Sequence, residues 1–133
     1  MEAVSVLLVD DNLTFLRVAD RFLQGCEDIS VAGLAEGGKE GLKQASLLRP
    51  EIALVDLAMV DLPGLETIRS LRKSLPRLGI IALTIMDADD YRHAALAAGA
   101  DRFVTKASLS TDLLPAIRAL AINRRLSQES KDL

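Results

Sequence analysis

The chain alternates short apolar runs with longer segments in which apolar residues recur every three or four positions. Short apolar runs bounded by turn residues are typical of strands buried on both faces, and the wider spacing is typical of helices that cover a sheet. The runs predict five strands, at residues 5–9, 29–35, 52–57, 78–83 and 102–105. A helix is expected after each strand, at residues 12–23, 38–49, 64–75, 89–98 and 112–125.

Regular strand–helix alternation predicts parallel strands joined by right-handed crossovers. The expected fold class is α/β, with a doubly wound five-stranded parallel sheet in the order 2-1-3-4-5 and helices on both faces. A six-stranded dinucleotide-binding order is disfavoured, because Asp10, Asp11 and Asn12 follow the first strand where that fold needs a glycine-rich fingerprint.

Three positions leave the local structure open. Pro115 removes an amide from the last helix, so we expect it in the first turn or at a kink. Ile85 follows the fourth strand and has two interpretations, as a core residue or as a side chain that leans over the predicted site. Residues 126–133 are mostly polar or charged, which predicts a folded domain over 1–125 and then a polar tail or the start of a linker.

Composition excludes several classes of function. A chain of 133 residues with a net charge of −3 is one domain without the basic face that direct nucleic-acid binding requires. Cys26 and His93 are each single, so the chain holds no zinc cluster and no Cys-His dyad of its own. No apolar run reaches the roughly 18 residues that span a bilayer. We therefore expect a cytoplasmic protein that does not associate with membranes.

Polar side chains follow four of the strands, at the edge of the sheet where parallel α/β proteins bind ligands. Asp10 and Asp11 end the first strand, Asp56 the third, Thr84 the fourth and Lys106 the fifth. Clustered carboxylates need a shared proton or a hard divalent cation, and Mg²⁺ or Mn²⁺ suits oxygen ligands. A carboxylate beside such a cation can attack a phosphoryl group, with Lys106 and Thr84 binding its oxygens.

Motifs around these residues resemble the receiver domain of response regulators, the CheY-like fold of two-component signalling, over residues 4–122. The segment at residues 64–67 is most similar to the NarL/FixJ class. The matching motifs are Val9-Asp10-Asp11-Asn12, Leu54-Val55-Asp56-Leu57-Ala58-Met59, Pro63-Gly64-Leu65-Glu66, Ala82-Leu83-Thr84, and Ala98-Gly99-Ala100-Asp101-Arg102-Phe103-Val104-Thr105-Lys106.

The resemblance implies a phosphorylation site and a metal site. Asp56 would accept a phosphoryl group from a sensor histidine kinase, and Lys106 would contact that group. Asp11, Asp56 and the backbone carbonyl of Ala58 would bind Mg²⁺, with Asp10 assisting through water.

The resemblance also implies an output. Thr84 and Phe103 would form the conformational switch, and Tyr91, on the fourth helix, would lie on the partner surface. This surface would form a homodimer on phosphorylation. Transcription would be controlled through a helix-turn-helix domain in the parent protein, not by DNA binding of this domain.

An alternative is a metal-dependent phosphohydrolase or phosphotransferase with an aspartyl nucleophile. Such enzymes typically carry a second Asp two residues after the nucleophile, as the acid/base. Ala58 stands at that position if Asp56 is the nucleophile, and Asn12 does if Asp10 is. The sequence therefore favours a switch that catalyses only its own phosphotransfer and dephosphorylation.

Overall fold

The computed structural model describes the backbone of residues 2–132 and the side chains of residues 2–128. Strands and helices alternate along the chain, and a 3-10 turn at Lys106–Ser108 precedes the last helix. The elements are β1 (Val4–Val9), α1 (Leu13–Gln24), β2 (Ile29–Ala35), α2 (Gly38–Leu48), β3 (Ile52–Asp56), α3 (Gly64–Ser74), β4 (Gly79–Thr84), α4 (Asp89–Ala98), β5 (Arg102–Thr105) and α5 (Leu109–Asp132).

The five strands form one parallel sheet in the order β2-β1-β3-β4-β5, which confirms the predicted fold class. Val9 of β1 lies opposite Val55 of β3, and Asp56 lies opposite Leu83 of β4. This register brings the carboxyl ends of β1, β3 and β4 to one edge of the sheet. The residues that follow these strands therefore meet there.

Two apolar layers cover the sheet. On one face the buried side chains of α1 and α5 pack against β1, β3 and β4, and on the other face α2, α3 and α4 do so. All five residues of β3 are buried, as expected for a central strand with helices on both sides. Among the described residues, no helix is long and apolar enough to cross a membrane.

The last helix is longer than predicted. It begins at Leu109 and continues to Asp132, through the segment expected to be a tail. Pro115 lies inside α5, past its first turn, because a buried apolar stripe that includes Leu113 and Ile117 holds the helix on the sheet on both sides of the proline. The domain boundary at residue 125 stays a prediction.

Two apolar residues near the ends of their elements are exposed. Leu48, the last residue of α2, is 47% exposed, because α2 packs through the small residues Gly38, Gly41 and Ala45. Ile85 is 74% exposed at the end of β4, so the interpretation of Ile85 as a core residue is wrong.

Candidate functional site

The pairing of β1 with β3 places two carboxylates below the protein surface at the carboxyl edge of the sheet. Asp10 and Asp56 are 1% and 3% exposed, whereas Asp11 is exposed at the rim. Oxygen atoms of all three carboxylates lie within 4.8 Å of one another. We call this group, together with Lys106, the acidic pocket.

Lys106 is the cation of the acidic pocket. Its Nζ donates to Asp10 Oδ2 at 2.6 Å and lies 3.4 Å from Asp56 Oδ1, and its side chain is 13% exposed. The turn after β5 brings Lys106 across the end of the sheet to β3 and β1, which lie two and three places from β5 in the strand order. One ammonium therefore faces two buried carboxylates.

The charge on Asp56 is incompletely balanced. Burial raises the pKa of Asp56 from 3.8 to about 6, and the neighbouring charge of Asp10 adds to the rise. The Lys106 ammonium and the backbone N–H of Ala58 act in the opposite direction. A proton, a cation or a covalent change that removes the negative charge of Asp56 therefore stabilises the site.

Backbone amides orient the other two carboxylates. The N–H of Asn12 donates to Asp10 Oδ1 at 2.9 Å, and the N–H of Val60 donates to Asp11 Oδ2 at 2.9 Å. Asp11 thereby ties β1 to the loop after β3. Three carboxylates this close together form an all-oxygen donor set that fits a hard divalent cation such as Mg²⁺ or Mn²⁺.

The predicted switch residues lie next to this edge. Thr84 is 6% exposed at the end of β4, and its Oγ1 accepts a hydrogen bond from the N–H of Met86 at 3.1 Å. Phe103 is half-buried against the layer of α2, α3 and α4, with the Arg92 guanidinium 4.7 Å from its ring centroid. Tyr91 lies on α4 and is 43% exposed.

Sequence reasoning missed two contacts that shape the site. The Lys106 Nζ lies 4.1 Å from the ring centroid of Phe15, a residue of α1 for which the sequence predicts no role at the site. Asp61 accepts hydrogen bonds from the N–H groups of Gly38 and Lys39 at 3.0 and 3.1 Å, and so caps α2 from the loop after β3. Both contacts join residues more than 20 positions apart, so no local sequence pattern predicts them.

Comparisons with known proteins agree with this geometry. Residues 6–118 match the family model of the response regulator receiver domain. Response regulator GacA of Pseudomonas viridiflava is 33% identical over 122 residues, which cover 92% of this chain and 57% of that protein. The chain thus spans little more than half the length of this curated relative.

Solved structures show the same similarity. A two-component response regulator of the LuxR family from Aurantimonas sp. has a TM-score of 0.87 at 25% identity, over 92% of this chain and 88% of that one. The RcsB response regulator of Salmonella typhimurium, in a structure described for its DNA interaction, has a TM-score of 0.84 at 26% identity, over 92% and 62%.

The fold and the acidic pocket are those of a receiver-type switch domain, and the comparisons do not favour the hydrolase alternative. The chain belongs to the receiver domain family of response regulators, the switches of two-component signalling. The predicted resemblance to receivers of the NarL/FixJ class is confirmed.

Proposed function

We propose that Asp56 accepts a phosphoryl group from the phosphohistidine of a sensor histidine kinase, in the cytoplasm, and that the resulting change in charge switches an output surface. A carboxylate oxygen of Asp56 attacks phosphorus, the bond from phosphorus to the histidine nitrogen breaks, and the leaving imidazole takes up a proton. The product is an acyl phosphate on Asp56. Hydrolysis returns the carboxylate and releases phosphate, so the domain catalyses only its own phosphotransfer and dephosphorylation.

The observation that carries this proposal is the position of Asp56 beside Lys106 at the end of a fully buried strand. Lys106 lies where its ammonium can bind an oxygen of the transferred group. The hydroxyl of Thr84, at the end of the adjacent strand, is a second donor on the same edge.

Mg²⁺ or Mn²⁺, held by Asp11, Asp56 and the Ala58 carbonyl with Asp10 assisting through water, would offset negative charge on the transferring oxygens. Asp10 and Asp11 supply the negative charge for that cation, and their backbone hydrogen bonds hold them in place before it arrives.

Incubation with acetyl phosphate and Mg²⁺ tests the phosphoacceptor. Intact mass should show one added phosphoryl group on the unaltered protein and none on Asp56→Ala. Asp61→Ala is a matched control, because Asp61 belongs to the same loop region but binds the amides of α2. Persistence of the adduct in Asp56→Ala would refute the assignment.

We further propose that phosphorylation acts through Thr84 and Phe103 on a surface formed by α4 and α5, which includes Tyr91. Movement of Thr84 toward the phosphoryl group would let the half-buried Phe103 ring turn inward and would change how this surface pairs with a second copy. The similarity to RcsB supports an output in transcription, through a helix-turn-helix domain elsewhere in the parent protein.

Hydrogen exchange with and without a beryllofluoride mimic tests this output. Protection should change across residues 84–120, and sedimentation should show more dimer with the mimic. Identical exchange in both states would refute the switch.

A further inference from the structure

Phe15 and Lys106 form a contact that the receiver chemistry described above does not use. The two residues lie 91 positions apart, yet the Lys106 Nζ is 4.1 Å from the Phe15 ring centroid. The same Nζ contacts Asp10 and lies beside Asp56. The ring thus borders the cation of the acidic pocket.

The backbone fixes where this ring lies. Phe15 is in the first turn of α1, and its N–H donates at 3.1 Å to the side chain of Asn12, the N-cap of the helix. The N–H of Asn12 in turn donates to Asp10, which accepts from Lys106. Asp10, Asn12, Phe15 and Lys106 therefore form a closed circuit of contacts.

The face of an aromatic ring attracts an ammonium, and the attraction grows where water is excluded. Phe15 is half-buried against the core between the sheet and the layer of α1 and α5, and the Lys106 side chain is 13% exposed. An aliphatic side chain could fill this space, but it would offer the ammonium no negative face. A flexible lysine would then be less confined beside Asp56.

We propose that Phe15 is a positioning residue, whose ring holds the Lys106 ammonium beside Asp56 before a phosphoryl group arrives. This inference rests on the proposed function of Asp56 as phosphoacceptor. Confinement in advance lowers the cost of binding the phosphoryl oxygen. The rate of phosphorylation should therefore depend on the electronic character of the ring as well as on its volume.

Substitution provides the first test. Phe15→Leu should slow phosphorylation by acetyl phosphate about 3- to 10-fold, the range expected for one partly desolvated ring–ammonium contact. Phe15→Tyr keeps the aromatic face and should retain the rate. Phe22→Leu is the matched control, because Phe22 is also half-buried on α1 against the same core, whereas the Lys106 ammonium lies over the ring of Phe15. Equal slowing in both leucine variants would overturn the proposal.

Fluorination separates electronic character from packing. Phenylalanine analogues with one, two and three ring fluorines at position 15 weaken the negative face while they change the shape little. The logarithm of the phosphorylation rate should fall with each fluorine. In a Lys106→Met background the series should be flat. A flat series with Lys106 present would overturn the proposal, even if Phe15→Leu proves unstable.

A double-mutant cycle of unfolding free energies tests the contact without phosphorylation. Phe15→Leu and Lys106→Met, singly and together, should show a favourable coupling. If the unaltered protein takes up no phosphoryl group, the proposed function fails while this cycle still tests the ring–ammonium contact. Zero coupling would overturn the positioning role, and normal phosphorylation of Asp56 would leave the proposed function standing.

Discussion

Burial of Asp56 makes the acidic pocket a source of instability at neutral pH, and Asp56→Asn should relieve it. Asparagine has nearly the same shape and keeps an oxygen for the Ala58 amide. Because burial and the charge of Asp10 raise the pKa of Asp56 from 3.8 to about 6, its charged form is disfavoured in the folded state. A shift of about two units corresponds to about 3 kcal/mol. This shift already includes the opposing attraction of Lys106, so we expect Asp56→Asn to be more stable by up to about 3 kcal/mol above pH 7.

The sign of the pH dependence follows from which state binds the proton more tightly. With a raised pKa, folded Asp56 holds its proton more tightly than unfolded Asp56 does. The stabilising contribution of the protonated form is complete below about pH 4 and is lost as the pH rises through about 6. The difference between Asp56→Asn and the unaltered protein should therefore grow from pH 4 to pH 7 and then stay constant.

Urea denaturation at pH 4.5, 6 and 7.5, with a chelator to exclude divalent cations, measures this difference. Asp87→Asn removes an exposed carboxylate and serves as the control, with an expected change within about 0.5 kcal/mol at every pH. If Asp56→Asn were less stable than the unaltered protein at pH 7.5, the ion pair with Lys106 would outweigh the cost of burial. That result would refute the reasoning.

Three further predictions follow from single features of the structure. Mg²⁺ at a hundred times its dissociation constant should stabilise the protein by about 2.7 kcal/mol, and Asp11→Asn should lessen this gain in thermal melts. Ile85→Ala should change stability by less than about 0.5 kcal/mol, because the side chain is exposed. If the Ile85 side chain narrows the approach to Asp56, stopped-flow assays with acetyl phosphate should show faster phosphorylation of this variant. Arg72 donates to the carbonyl oxygen of Gly99 at 2.7 and 3.0 Å, so Arg72→Ala should cost about 2 kcal/mol in urea denaturation, whereas exposed Arg69→Ala should cost less than about 0.5 kcal/mol.

The sheet and its polar edge were predictable because each depends on local pattern. The β3 run is apolar on both faces, so it had to be central, and the order 2-1-3-4-5 then placed Asp10 beside Asp56. The predicted bounds of β2, α4 and β5 agree with the structure, because turn residues such as Gly99 mark their ends.

Contacts between residues that are far apart along the chain could not be predicted from the sequence. Nothing local to Phe15 shows that an ammonium from position 106 lies over its ring. The length of α5 was missed for a similar reason, since the polar residues after 125 carry little helical pattern of their own. Arg124 and Arg125, just before them, bind Glu51 at the start of β3 and so hold the helix against the far end of the sheet.

The acidic pocket lies at the end of the buried strand β3 and is surrounded by exposed loops. This contrast determines which parts of the structure a charge change at Asp56 can move. Every residue of β3 is buried, so the strand cannot shift without disturbing both apolar layers. The adjoining loops carry side chains that make few packing contacts, since Val60 is 94% exposed and Ile85 is 74% exposed. Val60 is joined to Asp11 by one hydrogen bond, and Met86, next to Ile85, is joined to Thr84 by another. Neutralising or modifying Asp56 should therefore rearrange these two hydrogen-bonded loops and leave the sheet in place, as the proposed switch requires.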